Sequence, residues 1–146
     1  MNKLHFHLKI ILLFFFHLTI SLCVSQNILI PMDSKTQKNH LKSYGLAYWI
    51  LENNLEVDWL LNYRGGSFMF SHLPEIVNEC NYRGISYEII SKEETLDILN
   101  TLASPQNNYD IIKLEKAPKI AVYSPKNKQP WDDAVTLVLE YAEIPY

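Results

Sequence analysis

Cysteine is almost missing from this chain. Of its 146 residues only Cys23 and Cys80 carry a thiol. Cys23 falls in a segment read below as a cleaved leader, so an internal disulfide in the mature chain is excluded. The remaining Cys80 reads as a small core hydrophobe before it reads as a nucleophile. Glycine is also scarce, with four residues, and neither a dinucleotide fingerprint nor a phosphate-binding P-loop is spelled anywhere. Clusters of basic charge are missing. Thirteen Lys and Arg stand against sixteen Asp and Glu, a poor match to nucleic acid or an anionic membrane. Histidine is sparse beyond the first 25 residues. His40 and His72 stand apart from cysteine and from paired carboxylates, so no metal or other cofactor is expected. Ser124 precedes a proline and lacks the G-x-S-x-G elbow of a hydrolase nucleophile. No repeat of fixed period is present.

What is present begins with an address. Lys3 and Lys9 precede an apolar run from Ile10 to Val24, and Cys23-Val24-Ser25 offers small residues for cleavage before Gln26. This is the pattern of a secretory signal peptide over Met1–Ser25. As a helix the run would reach roughly 22 Å, against about 30 Å for a hydrocarbon core, so no stable membrane span is expected after cleavage. Loss of Lys3 and Lys9 leaves eleven basic against sixteen acidic residues, a net charge of −5. A periplasmic or secreted location follows.

The rest, 26–146, reads as one α/β domain. Its most complete unit is Lys119–Tyr146: an apolar run KIAVY between prolines, a polar loop, then a helix. That helix has Pro130 in its first turn, Asp132 and Asp133 near the positive end of its dipole, and an apolar stripe through Trp131, Val135, Val138 and Ala142. Strands are also expected at Asn27–Met32, Val57–Tyr63 and Ile85–Ile90, with an edge strand or linker at Tyr109–Leu114. Helices are expected at about Thr36–Glu52, at Pro74–Asn81, and after Ser91, where Ser91 and Glu94 form a capping box. Phe68-Met69-Phe70 reads as an apolar bridge packed under the preceding loop. Gly45, in mid-helix, reads as a point of close packing on the sheet. Alternation of strand and helix predicts a doubly wound, mostly parallel open sheet, incomplete at Tyr146, where a further strand is beginning.

In such a sheet ligands bind outside the carboxyl ends of the strands. Asp33, Arg64, Gly65, Gly66, Ser124, Trp131 and Asp132 fall there. Arg64 followed by two glycines makes either an anion-binding corner, with backbone N–H groups cradling a carboxylate or phosphate, or a tight turn with a solvated arginine. Trp131 would stack on a ring and Asp132 would take a cation or hydroxyl, although carboxylates at a helix start also serve the dipole alone. The expected ligand is small and polar or anionic.

The strings ILIPMD, KNHLKSYGLAYW, VDWLLNYRGG and KIAVYSPKNKQPWDDAVTLVLEYAEIPY together resemble a family of secreted bacterial proteins labelled asparagine synthetase B. The strand–loop–helix unit also looks like the class I glutamine-amidotransferase-like fold. The resemblance spans Asn27 to Tyr146. It implies that this chain is the amino-terminal portion of a longer protein, and that amide nitrogen transfer from glutamine belongs to that family.

The residues themselves favour an exported binding or envelope-associated module without a complete catalytic site. The alternatives are an amidotransferase-related enzyme fragment and a remnant of a truncated gene. Export predicts that the protein recovered from the cell envelope has the intact mass of Gln26–Tyr146. A much larger mass would show that the sequence is the front part of a longer protein.

Overall fold

A computed structural model describes residues 26–123 and 133–146. In chain order its elements are β1 (Asn27–Ile30), α1 (His40–Glu52), β2 (Val57–Leu61), a single 3-10 turn (Tyr63–Gly65), β3 (Ser67–Ser71), α2 (Pro74–Arg83), β4 (Glu88–Ile90), α3 (Lys92–Leu102), β5 (Asp110–Leu114) and α4 (Asp133–Ala142). Among the described residues five strands form one sheet in the order β4-β1-β3-β2-β5. Every neighbouring pair is antiparallel.

The doubly wound, mostly parallel sheet is therefore overturned. The cause lies at Phe68-Met69-Phe70, which is the middle of β3 and not a bridge under a loop. The five residues Asn62–Gly66 reverse the chain. β3 then folds back on β2, with Trp59 opposite Phe68, and inserts beside β1, with Ile28 opposite Phe70. A parallel sheet would have needed β1 and β2 side by side; β3 separates them. Strand, helix, two strands, helix, strand in the order β4-β1-β3-β2 is the split βαβ, or ferredoxin-like, arrangement. α3 and β5 extend it.

Alternation along the strands gives the sheet two apolar faces. Ile28, Ile30, Phe68, Phe70 and Val57 pack beneath α1 and α2 with Leu46, Ile50, Ile76 and Cys80. Leu29, Leu60, Met69 and Ile90 pack beneath α3 with Leu102, Ile98 and Leu99. The core thus lies in two layers either side of the strands.

Local chemistry sets several element ends. The capping box is formed: Glu94 N–H donates to Ser91 Oγ at 3.2 Å, and Ser91 N–H donates to Glu94 Oε2 at 2.7 Å. α1 begins at His40, later than expected, because Asp33 closes a turn of its own through the Thr36 N–H at 2.9 Å. β4 is shorter than Ile85–Ile90 because the buried amide of Gln37 takes the place of a strand partner at Ser86. Its Nε2 donates to the carbonyls of Ser86 (3.1 Å) and Pro31 (3.2 Å), and its Oε1 accepts from the Ser86 N–H at 3.2 Å.

Lys119–Tyr123, expected as a strand, has no regular structure. The polar loop after it lies outside the described residues. α4 does form, but it packs on α1 and not on the sheet. Gly45 is the point of approach, so its packing partner is a helix and not the sheet. A Cβ at Gly45 would lie 1.7 Å from the Ala142 carbonyl oxygen. Around this contact Glu143 pairs with Lys42 and lies 3.0 Å from Arg83 Nη1, while Tyr141 donates to Asn39 Oδ1 at 3.2 Å. Val135, Leu137, Val138 and Tyr141 remain exposed. Among the described residues no helix is long and apolar enough to cross a membrane.

Replacing Gly45 with valine should undock α4 while leaving the sheet formed. Hydrogen exchange would then show lost protection over Val135–Ala142 and retained protection in β1 and β3. Global stability should fall by about 1–3 kcal/mol, the usual cost of forcing bulk into a close contact.

Candidate functional site

Asp33, Arg64, Gly65 and Gly66 come together at the end of the sheet where β1 leaves and the β2–β3 turn crosses it. Ser124, Trp131 and Asp132 lie outside the described residues. The turn holds four residues with positive φ: Asn62 (62°), Arg64 (45°), Gly65 (85°) and Gly66 (91°). For Asn62 and Arg64 this left-handed backbone is uncommon and must be held by surrounding contacts. Gly65 is required by space as well. A Cβ there would meet the Met32 carbonyl oxygen at 2.5 Å. Next to it, Met32 N–H donates to the Arg64 carbonyl at 3.0 Å.

This crossing aims the Arg64 side chain past the exit of β1 toward β4. Its Nη1 and Nη2 donate to both oxygens of Glu88, on β4, at 2.7 and 2.8 Å. Its Nε donates to Asp33 Oδ2 at 3.3 Å. Two carboxylates face one guanidinium. Glu88 foremost, then Asp33, raises the affinity of Arg64 for its proton. Asp33 is held below the usual carboxylate range chiefly by its hydrogen bond from Thr36, with Arg64 adding to the effect. An anion entering this corner must therefore compete with Glu88 and Asp33. Beside it lies a hollow of about 260 Å³ lined by Arg64, Tyr63, Glu88, Glu94 and Asp97. Glu88 was not singled out from sequence, since nothing in its local surroundings marks a partner 24 residues away.

On the opposite face of the sheet, under α1, is a groove of about 320 Å³. Trp59 and Phe68 form its floor, Tyr44, Ala47, Tyr48 and Leu51 of α1 form one wall, and Leu114, Pro118 and Ile120 form the other, with Ile144 at one end. The rings are arrayed. Tyr44 meets Phe68 edge-on at 5.5 Å between centroids, and Trp59 lies over Phe68 at 6.3 Å. The polar tips of two of these rings are engaged. Trp59 Nε1–H donates to the Gly66 carbonyl at 3.2 Å, and Tyr48 O–H donates to the Pro118 carbonyl at 3.0 Å. Among the described residues no charged side chain lines the groove. Sequence reading missed it because its residues come from a helix, three strands, the irregular chain after β5 and the residues after α4.

The other candidates are structural. Cys80 is fully buried on the inner side of α2, and its thiol is pushed up to about 12, mainly by burial. His40 Nε2 sits 3.1 Å from the Met32 carbonyl. Among the described residues no three His, Cys, Asp or Glu side chains are grouped to hold a metal ion. The fold is thus a split βαβ module with an ion-paired corner on one side and an aromatic groove on the other. Comparison of the chain with protein-family models, with curated proteins and with solved structures gives no match.

Two carboxylates should push the pH dependence of stability in opposite directions. The folded state depresses the Asp33 carboxyl, so its stabilisation is complete above 3.8 and is lost as the pH falls through the lowered value. Asp58, on β2, is raised, first by burial, with Lys113 opposing. Its folded form holds a proton that the unfolded chain has released, and stability falls as the pH rises through that window. Urea midpoints between about pH 3 and about pH 7 should therefore show Asp58→Asn more stable than wild type at neutral pH. Asp33→Asn should be less stable at neutral pH and lose less on acidification.

Proposed function

We propose that this chain is an exported, non-enzymatic binding module that uses the groove between α1 and the sheet. The single observation that carries the reading is a concave surface of about 320 Å³ presenting aromatic rings, two of them with their polar tips engaged elsewhere. Rings left half open to solvent are costly to hydrate and are what a ligand would cover. Export rests on the leader pattern of Met1–Ser25. A small polar or anionic ligand at Arg64 would have to break the bidentate pair with Glu88, so the groove is the better-prepared surface.

Amide nitrogen transfer, which the family resemblance would imply, calls for an accessible, activated cysteine. Cys80 offers a buried thiol whose proton is held tightly. The groove reading is therefore preferred.

A thermal-shift screen of the mature protein against neutral, anionic and cationic small molecules tests this. Binding predicts a rise in midpoint with at least one class, by about 2–3 kcal/mol at a hundredfold excess over Kd. It also predicts that the rise disappears in Tyr44→Lys, and that glutamine yields no ammonia. Turnover of glutamine without any groove-dependent shift would overturn the reading.

A further inference from the structure

We infer that the groove selects a small, uncharged aromatic molecule of about two or three rings, held by ring–ring contact and not by hydrogen bonds or ion pairs; this inference rests on the binding-module reading above. Three observations lead to it. First, the volume of about 320 Å³ lies at the lower end for small-molecule sites, which limits the ligand to a few rings. Second, the lining contributed by the described residues carries no charged group to meet a ligand charge, and burying an unpaired charge is heavily penalised. The ring donors of Trp59 and Tyr48 are already bound to the Gly66 and Pro118 carbonyls, while the hydroxyl of Tyr44 belongs to a half-exposed ring. Third, Tyr44, Phe68 and Trp59 form a continuous ring array, edge-on at 81° and then near-parallel at 30°, with Tyr44 45% exposed at the mouth. A further ring placed against Tyr44 and Trp59 would extend that array, gaining contact geometry that aliphatic ligands of the same area lack.

The Tyr48 bond to Pro118 gives the site a fixed second wall. It holds the chain after β5 against α1, so the groove is formed before a ligand arrives. Ligand discrimination then comes from charge and ring content and not from closure of a loop.

A matched pair of fluorescent probes tests the inference on the mature chain. N-phenylnaphthylamine is neutral; anilinonaphthalene sulfonate has the same rings and a negative charge. The neutral probe should saturate one site per chain, and the sulfonate should bind at least about tenfold more weakly. Tyr44→Lys, which brings an ammonium to the mouth, should weaken the neutral probe about tenfold, and Tyr44→Ala should weaken it in the same direction. Far-UV circular dichroism confirms that each variant is folded; if Tyr44→Lys is not, Tyr44→Ala decides. Equal or tighter binding of the sulfonate, abolished in the folded Tyr44 variant, would overturn the aromatic-neutral class while leaving a groove-binding module standing. No saturable binding of either probe, or binding indifferent to Tyr44, would overturn the inference, and absence of a shift with every class of compound would overturn the module reading as well.

Discussion

The carbonyl of Met32 occupies the space a side chain at position 65 would need. That one steric fact fixes the β2–β3 turn against the exit of β1. With Gly65 in place, the Met32 N–H reaches the Arg64 carbonyl, and Arg64 is turned so that its guanidinium spans Asp33 and Glu88. The turn brings β3 back between β1 and β2, and so decides that the sheet is antiparallel. Everything else follows from that insertion: both apolar faces, the helices over them, and the position of Phe68 as the floor of the groove. The left-handed backbone at Asn62 and Arg64 is the local cost of so abrupt a reversal, offset by the packing it permits.

What the sequence revealed were features decided within a few residues. The Ser91–Glu94 capping box, Pro74 at the head of α2 and the apolar run of β1 were legible because each depends on near neighbours. The sheet order was not. Phe68-Met69-Phe70 is as apolar as a buried strand, but its identity depends on β2 across a turn and on β1 about forty residues back. The useful clue was a five-residue loop with two glycines between apolar runs, a hairpin signal of moderate strength. Lys119–Tyr123 misled in the opposite sense. Periodicity reports which residues dislike water and cannot report whether a strand edge is free to pair. Of the candidate site, Asp33 and Arg64–Gly66 do meet, whereas Glu88 and the ring array were invisible until the chain folded.

α4 departs from the usual rule for surface helices. Val135, Leu137, Val138 and Tyr141 are all exposed, while Ala142 is buried against Gly45. A helix apolar on most sides is normally enclosed. Here its attachment is unusually polar, through Glu143 with Lys42 and Arg83 and through Tyr141 with Asn39. Lys42 also lies 5.1 Å from the centre of the Tyr141 ring. The two chain regions are thus joined by a small charged clasp laid over a glycine notch.

The place of β1 in the sheet has a consequence for how the chain reaches its fold. β1 lies inside the sheet, paired on both sides, yet its partners β3 and β4 lie about forty and about sixty residues further along. A chain that emerges amino terminus first would present Ile28, Leu29 and Ile30 to its surroundings long before either partner exists. β2 and β3 can pair locally through their short turn, but β1 must wait for a long loop to close. This apolar strand is therefore the one exposed longest. Until the β2–β3 hairpin closes and gives it somewhere to dock, this segment is open to non-native association.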